Sequence, residues 1–520
     1  MINKLLRLSC LALVLGCTIN PALAFQEDSL VVRKCIHCHA YDNGKLARIS
    51  DLRTTPEEWT VIIDRMHRLH KMPLTGSDMG DLLKALCATQ MLTPQEASKV
   101  AYINLFNNPQ TMETPANPDE QKLFTTCVRC HSAAKIRSYR MTPAAWKKLR
   151  DFHLYMDPAI MYQMREMYWR KQADEVLDWL GREQPYQRDW TPPTASPAGQ
   201  WLVLGHEPGK GNYRGKASIK ADGDDEYSIT GTLEYTDGTS ETFAGNGTLY
   251  GGYALRTRTR HNGAKTMGAY SFVDGVISGE HQHEAPDFRT SSATWYPLDK
   301  KSRVLRVTPG YLLSGEQTHV VIEGIALPEL RKKDIAAANK DVEVLQVVSS
   351  KPGAAELVLS YKGQAVASTS LRLKRLDAGE LTLAPRIDYL RVTPGMGRAR
   401  VSGGVHYPAE GVQFEAVAYS KGADADSAAD DLRLGPVPAR FSLEEEATRP
   451  NDDDLDYVGA IEPDGTYIPH GDYNSIPSRK FEIEGTGLVK VVAKYTRGDA
   501  TYNADARLVV TVPDYIQRVR

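Results

Sequence analysis

The chain has 520 residues, with 63 lysines and arginines against 65 aspartates and glutamates and a formal net charge of -2. That length is too great for a single hydrophobic core and predicts about three to five domains. Charged residues make up 25% of the chain with the signs balanced, which excludes a basic nucleic-acid binder and describes an ordinary polar surface.

Residues 1–24 read as an export signal. Lys4 and Arg7 give a charged start, Leu11–Leu15 an apolar centre, and Ala22-Leu23-Ala24 a small-x-small cleavage site. Cleavage after Ala24 would start the mature protein at Phe25 and place it in the periplasm. Cleavage before Cys17, giving a lipoprotein, is the alternative. The apolar run is too short to span a bilayer, and no later stretch reads as a membrane span.

Next come Cys35-Ile36-His37-Cys38-His39 and, about ninety residues on, Cys127-Val128-Arg129-Cys130-His131. Each is Cys-x-x-Cys-His, the attachment signature of c-type haem. The cysteines form thioethers to the haem and the histidine is the proximal iron ligand, so Cys35, Cys38, Cys127 and Cys130 with His39 and His131 predict two covalently bound haems. A structural zinc cage is the competing reading, and its ligand pairs usually lie closer together. Of seven cysteines, Cys10 and Cys17 leave with the signal and four hold haem. Only Cys87 remains, in the apolar run Leu82–Cys87, and it reads as a small buried hydrophobe.

The region 25–187 reads as helical, in two copies of a small cytochrome c unit, about 25–110 and 111–187. Thr55-Pro56-Glu57-Glu58 and Thr93-Pro94-Gln95-Glu96 are capping boxes with Pro at the first helical position. Thr142-Pro143 starts another helix without the Glu. Trp59, Ile63, Met66 and His70 share one helix face, as do Trp146, Leu149, His153 and Met156. A haem that only moves electrons takes a second axial ligand. His70 is the first choice for haem one, with Met66 and Met72 as rivals. His153 is the first choice for haem two, with Met156 and Met141 as rivals. Trp59 and Trp146 read as packing residues beside the porphyrin.

The composition changes after Trp190-Thr191-Pro192-Pro193, a linker. Alternating Tyr227, Ile229, Leu233 and Tyr235, with turns at Asp237-Gly238, Gly251-Gly252 and Asn262-Gly263, predict an antiparallel barrel or sandwich over 194–300. The hexapeptide Leu305–Gly310 recurs as Leu390–Gly395, which marks two related Ig-like β-sandwiches, 301–385 and 386–520. The second carries an acidic insertion near Glu444–Pro477, read as a solvated loop in preference to a calcium site. His281-Gln282-His283 puts two imidazoles on one strand face; with no third ligand in view it reads as a surface pair. No other catalytic pattern stands out, so the β part reads as scaffold and docking surface.

This combination resembles the α subunit of quinohaemoprotein amine dehydrogenase. The resemblance rests on Arg48-Ile49-Ser50 through Thr55–Trp59, Arg65-Met66 with His70, Cys127–Ser132 and Phe152-His153-Leu154. It continues in the β part through Gly209-Lys210-Gly211, Tyr235–Thr239, and Leu249-Tyr250 with Gly252-Tyr253. It implies a dihaem cytochrome domain followed by three antiparallel β domains, in a periplasmic heterotrimer with a β-propeller subunit and a small subunit bearing cysteine tryptophylquinone. The complex would deaminate primary amines oxidatively and pass electrons through the haems to azurin or a small cytochrome c. His39 and His131 match the family's iron ligands, and His70 and His153 its helix histidines. Lys71-Met72 departs from the expected Gly and apolar residue. One spare cysteine cannot build a cross-linked quinone subunit, so amine chemistry is assigned to a partner. A stand-alone dihaem enzyme such as a peroxidase is the alternative, predicting a haem with an open position. A polymer-binding β module, suggested by Tyr250 and Tyr253, is a third.

Overall fold

In the computed structural model the chain forms two compact units, residues 1–92 with 139–188 and residues 93–138 with 189–520. The residues described are 24–105, 113–128, 131–156, 166–187, 191–402, 409–424, 427–470, 479 and 485–511.

The first unit is mainly helical. It contains α1 (Leu30–Cys35), two-residue strands β1 (Tyr41–Asp42), β2 (Lys45–Leu46) and β3 (Leu52–Arg53), then α2 (Pro56–His70) and α3 (Asp78–Thr89). Thr55 caps α2, its Oγ1 accepting from Glu58 N at 3.3 Å. The reciprocal half of the expected box is not made there, because the Glu58 carboxylate accepts from Tyr139 OH at 2.6 Å. Trp59 and Ile63 are buried on the inner face of α2, and the Trp59 indole donates to the Gln90 carbonyl at 2.8 Å. Cys87 is fully buried in α3.

The second unit supplies α4 (Pro94–Ser98), α5 (Pro118–Cys127) and α6 (Ala133–Arg137). At Thr93 the capping box is complete. Back in the first unit, β4 (Arg140–Met141) leads into α7 (Pro143–Met156), and α8 (Trp169–Glu183) packs on α7. Trp169, Ala173, Val176, Leu177 and Leu180 give α8 one buried stripe at helical spacing.

Eight strands of the second unit close a barrel: β5 (Gly199–Glu207), β6 (Gly211–Gly223), β7 (Glu226–Tyr235), β8 (Ser240–Tyr250), β9 (Ala254–His261), β10 (Ala264–Val273), β11 (Val276–His283) and β12 (Thr290–Pro297). Each pairs antiparallel with the next, and β12 returns to β5 with Ser292 opposite His206. Closure removes both sheet edges. Asn262-Gly263 and Asp274-Gly275, all four at positive φ, turn the chain tightly in the hand that strand twist favours. Inward residues from Trp201 to Trp295 fill the interior, among them Tyr213, Ile229, Phe243, Leu255 and Tyr270. Tyr253 is buried as well, which leaves no exposed aromatic stripe at Tyr250 and Tyr253 for a polymer.

A two-sheet sandwich follows. Its sheets are β13 (Arg303–Thr308), β15 (Gln317–Ile325), β18 (Ala354–Tyr361) and β17 (Val342–Lys351) in that order, and β14 (Tyr311–Leu313), β20 (Leu376–Ala384), β19 (Ala367–Leu373) and β16 (Ile335–Ala337). The repeated hexapeptide has the same job in both sandwiches. Its first copy ends β13 in one sheet, and the chain then crosses to run β14 parallel to β20 in the other. The second copy ends strand Tyr389–Thr393, and the chain crosses to run Met396–Arg400 parallel to Ala500–Thr511.

The acidic stretch differs from the expected solvated loop. Asp454 is buried, accepts from Leu488 N at 2.7 Å and pairs with Arg479 at 2.8 Å. Its carboxylate closes the insertion back onto the sheet.

Candidate haem sites

The first Cys-x-x-Cys-His run leaves the end of α1 as a tight turn, with Cys38 N and His39 N both donating to the Cys35 carbonyl at 3.1 and 2.9 Å. Lys34 anchors the turn, its Nζ donating to the Asp78 carboxylate at 2.7 Å and to the Pro73 carbonyl at 3.1 Å. Burial, with the Cys38 thiol beside it, pushes the Cys35 thiol up to about 11. His39 Nδ1 sits 2.9 Å from the Ala47 carbonyl, which fixes that nitrogen as the N–H and leaves Nε2 for a metal. Burial lowers the basicity of His39. The Ala47 bond works against this, while the charges of Arg48 and His70 add to it, and the net lowering favours the neutral form that ligates a metal.

His70 ends α2, close enough for its charge to act on His39. The helix stops because Lys71 takes the left-handed conformation (φ 59°), and Met72 N closes back on the Met66 carbonyl at 3.1 Å. This is where a glycine is favoured, so the sequence departure at Lys71 keeps the geometry while giving up glycine's ease. Met66 and Met72 are half-buried. His67, one residue off the face, is exposed and its Nδ1 bonds the Met72 carbonyl at 2.8 Å. The donor set fits c-type haem: two cysteines on a turn, a histidine with its tautomer fixed, and a second histidine nearby. Ile36 between the cysteines and Leu69 beside His70 are 44% and 57% exposed, apolar surface that a porphyrin would cover.

In the second unit, Cys127 ends α5 and is half-buried; Cys130 lies outside the described residues. His131 Nδ1 bonds the Ser132 carbonyl at 2.9 Å. Glu113 pins the helix that follows, its carboxylate accepting from Ala133 N and Ala134 N, each at 2.7 Å, and from Tyr102 OH at 2.6 Å. Sequence reasoning missed Glu113, because nothing in its own neighbourhood points to a helix about twenty residues on.

His153 lies half-buried on α7 in the first unit, with Nδ1 2.9 Å from the Leu149 carbonyl and its ring against Phe152 and Trp169. Met141 is buried in β4, paired with Leu52. The Met156 side chain lies outside the described residues. Trp146 is buried like Trp59, and its indole nitrogen has no hydrogen-bond partner.

The barrel interior corrects the reading of His281 and His283 as a surface pair. Both are buried, 3% and 2% exposed, and His261 from β9 joins them. Burial and the two neighbouring histidines push the basicity of His281 well below the usual range.

A helical region built on haem-attachment motifs, followed by a closed barrel and paired-sheet domains, defines a multidomain haem-binding protein. Comparison with known families then places it. Residues 25–190 match the family described as quinohemoprotein amine dehydrogenase A, alpha subunit, haem binding; residues 195–285 match alpha subunit domain II, and residues 390–519 match alpha subunit domain IV. These matches cover most of the chain, which belongs to the quinohemoprotein amine dehydrogenase alpha-subunit family. It is a haem-binding subunit of a multisubunit oxidoreductase.

Comparison with curated protein sequences finds no significant match. Among solved structures, a redesigned β barrel, mFAP1, bound to DFHBI is 14% identical over 19% of this chain and 93% of its own, with a TM-score of 0.18. A fluorescence-activating β barrel designed de novo is 19% identical over 19% of this chain and 92% of its own, TM-score 0.17. InvD of Yersinia pseudotuberculosis is 13% identical over 56% of this chain and 97% of its own, TM-score 0.14. No helix among the described residues is long and apolar enough to cross a membrane.

Proposed function

We propose that this chain is the dihaem electron-transfer subunit of a periplasmic quinohaemoprotein amine dehydrogenase. Haem supplies one-electron redox chemistry when bound, and the protein's own residues attach it, orient it and set its potential. Cys35, Cys38, Cys127 and Cys130 make the thioethers. His39 and His131 are the proximal ligands, and His70 and His153 the sixth-position histidines. Electrons come from a cysteine tryptophylquinone in a small partner subunit, held with a β-propeller subunit, during oxidative deamination of primary amines. They leave to azurin or a small cytochrome c.

The observation that carries this reading is the pair of Cys-x-x-Cys-His motifs inside a chain of this family. At the first motif the His39 tautomer is fixed and His70 ends α2, which supports a reading in which both would hold the iron, as electron transfer needs, where a peroxidase keeps one position open. The spare-cysteine count puts amine chemistry in a partner.

The test is anaerobic. The chain is purified from periplasm with its partners, a primary amine is added, and the haem absorption bands are followed. Reduction that vanishes once the partners are stripped away is the expected result. Reduction by the isolated chain would overturn the division of labour. Peroxide turnover without amine-driven reduction in the intact complex would establish the peroxidase reading instead.

A further inference from the structure

Strands β9 and β11 flank β10, and their inward positions converge near one end of the barrel. On β9 these are Thr257, Thr259 and His261, and on β11 Ile277, Gly279, His281 and His283. Between them, Gly268 of β10 stands opposite His281 and Thr266 opposite His283. A side chain at Gly268 has no room: a Cβ there would lie 2.3 Å from Thr257 Oγ1 and 2.5 Å from the Tyr270 ring. That gap lets Tyr270 reach His281.

The three imidazoles form one cluster. Ring centroids are 4.8 Å apart for His261 and His281, 5.6 Å for His261 and His283, and 6.2 Å for His281 and His283. One nitrogen from each ring can be chosen so that all three lie within 4.8 Å of one another. Each ring also turns Nδ1 toward an oxygen. Tyr270 OH is 3.0 Å from His281 Nδ1, Asp287 Oδ2 is 3.1 Å from His283 Nδ1, and Glu241 Oε2 is 3.5 Å from His261 Nδ1. Only the tyrosine is in hydrogen-bonding alignment. His261 Nδ1, His281 Nε2 and both nitrogens of His283 are buried without a hydrogen-bond partner.

Buried ring nitrogens are seldom left unpaired, because each has given up water for nothing. Here three rings converge from strands β9 and β11, Nε2 of His281 and of His283 is left open, and a carboxylate or phenol lies near each Nδ1. That outer layer fixes imidazole tautomers at metal centres and turns Nε2 toward the ion. The cavity beside the cluster is lined by Val203, Tyr213, Thr257 and Thr259 among others, and its free volume of about 10 Å³ suits one water or one ion. An organic ligand does not fit.

We propose that His261, His281 and His283 bind one divalent transition-metal ion of the zinc class inside the barrel. Tyr270, Asp287 and Glu241 hold the rings, and a fourth position faces the small cavity. Three imidazoles without a thiolate suit zinc and its chemical neighbours and do not suit calcium or magnesium. A tetrahedral zinc needs ligand nitrogens about 3.3 Å apart, so the rings close on the ion by small rotations. The site is independent of the haems and ties strands β9 and β11 together across β10.

The test uses the untagged, full-length, haem-loaded chain, so that iron already occupies the haem histidines. It is dialysed against a chelator, equilibrated with zinc and freed of excess metal, and zinc is counted by mass spectrometry. One zinc per chain is expected, with a rise in barrel melting temperature and, with cobalt(II) as probe, the visible bands of a four-coordinate nitrogen site. His281→Gln and His283→Gln should each cut retained zinc at least tenfold. Tyr270→Phe should weaken affinity by about ten- to a hundredfold without abolishing it. Wild type that keeps under a tenth of a zinc per chain overturns the proposal, as do folded histidine variants that keep as much as wild type. A variant that unfolds leaves the wild-type titration as the deciding arm.

Discussion

Arg53 and Arg140 stand opposite one another in a two-stranded antiparallel sheet, and they are the same position in two copies of one sequence unit. Aligning Thr55-Pro56 with Thr142-Pro143 superposes Trp59 on Trp146 and Arg53 on Arg140. The same alignment superposes Arg65 on Phe152, and that pair also meets, the guanidinium 4.7 Å from the ring centroid. Equivalent positions meeting twice is the mark of a local twofold axis between α2 and α7. The sequence duplication is thus expressed as contacts between equivalent positions of the two copies.

The arginines at this axis hold the unit together. Arg53 is 1% exposed and donates to the Tyr186 carbonyl at 2.8 Å and the Met91 carbonyl at 3.2 Å. Arg140 donates to Gln184 Oε1 at 2.9 Å. Arg53→Ala removes these two hydrogen bonds and opens a cavity, and should cost about 3 kcal/mol. Denaturant unfolding followed by tryptophan fluorescence measures it. A loss of under about 0.5 kcal/mol, the size of an ordinary surface change, would remove Arg53 from this role.

The helices of this unit were legible in the sequence because their signals are local. Thr-Pro starts, buried tryptophans and Cys-x-x-Cys-His all declare themselves within a few residues. Strands β3 and β4 were not legible, being two residues each and formed only once the copies meet. Glu58 was read as the partner of Thr55 and instead accepts from Tyr139, a choice decided by a chain segment about eighty residues away. In the β part, alternation and turn pairs announced the strands. The convergence of His261 on His281 and His283 required knowing that β9 and β11 flank the same strand. Asp454 shows the opposite error: a run of acids looks solvated until Arg479 arrives from outside it.

Haem stoichiometry checks the attachment residues. Cys35→Ala with Cys38→Ala should lower covalent haem from two per chain to one, and Cys127→Ala with Cys130→Ala should do the same. The pyridine haemochrome of denatured protein counts it. An unchanged count in either double variant would show that the motif does not carry haem.

His70 predicts a spin-state change. It is exposed at the end of α2, and Met66 and Met72 are half-buried in the same stretch of chain. His70→Ala should convert one haem from low to high spin in the electron paramagnetic resonance spectrum and leave the other unchanged. Met66→Leu and Met72→Leu should change neither. Loss of the low-spin signal in a methionine variant alone would transfer the ligand to that sulfur.

His206 and Glu415 make the barrel's grip on the last sandwich sensitive to pH. His206 Nε2 bonds the Glu415 carboxylate, and Nδ1 is 2.8 Å from Asn212 Oδ1. Burial pulls the histidine's pKa down, but the Glu415 bond and charge, with help from Asn212, outweigh burial and the Arg306 charge, and the pKa ends above its ordinary 6.5. A histidine raised on folding contributes stability that is complete below the unfolded pKa and is lost as pH rises through the folded one. Stability of the second unit should therefore fall as pH climbs from about 6 past neutrality, by an increment that His206→Gln abolishes. Arg306 holds the neighbouring contact, donating to the Gly205 and Tyr213 carbonyls at 2.7 and 2.8 Å. Melting curves of wild type and His206→Gln from about pH 5.5 to about pH 8.5, a span that brackets the ordinary histidine range, decide the matter. Parallel profiles would show that the pair does not titrate there.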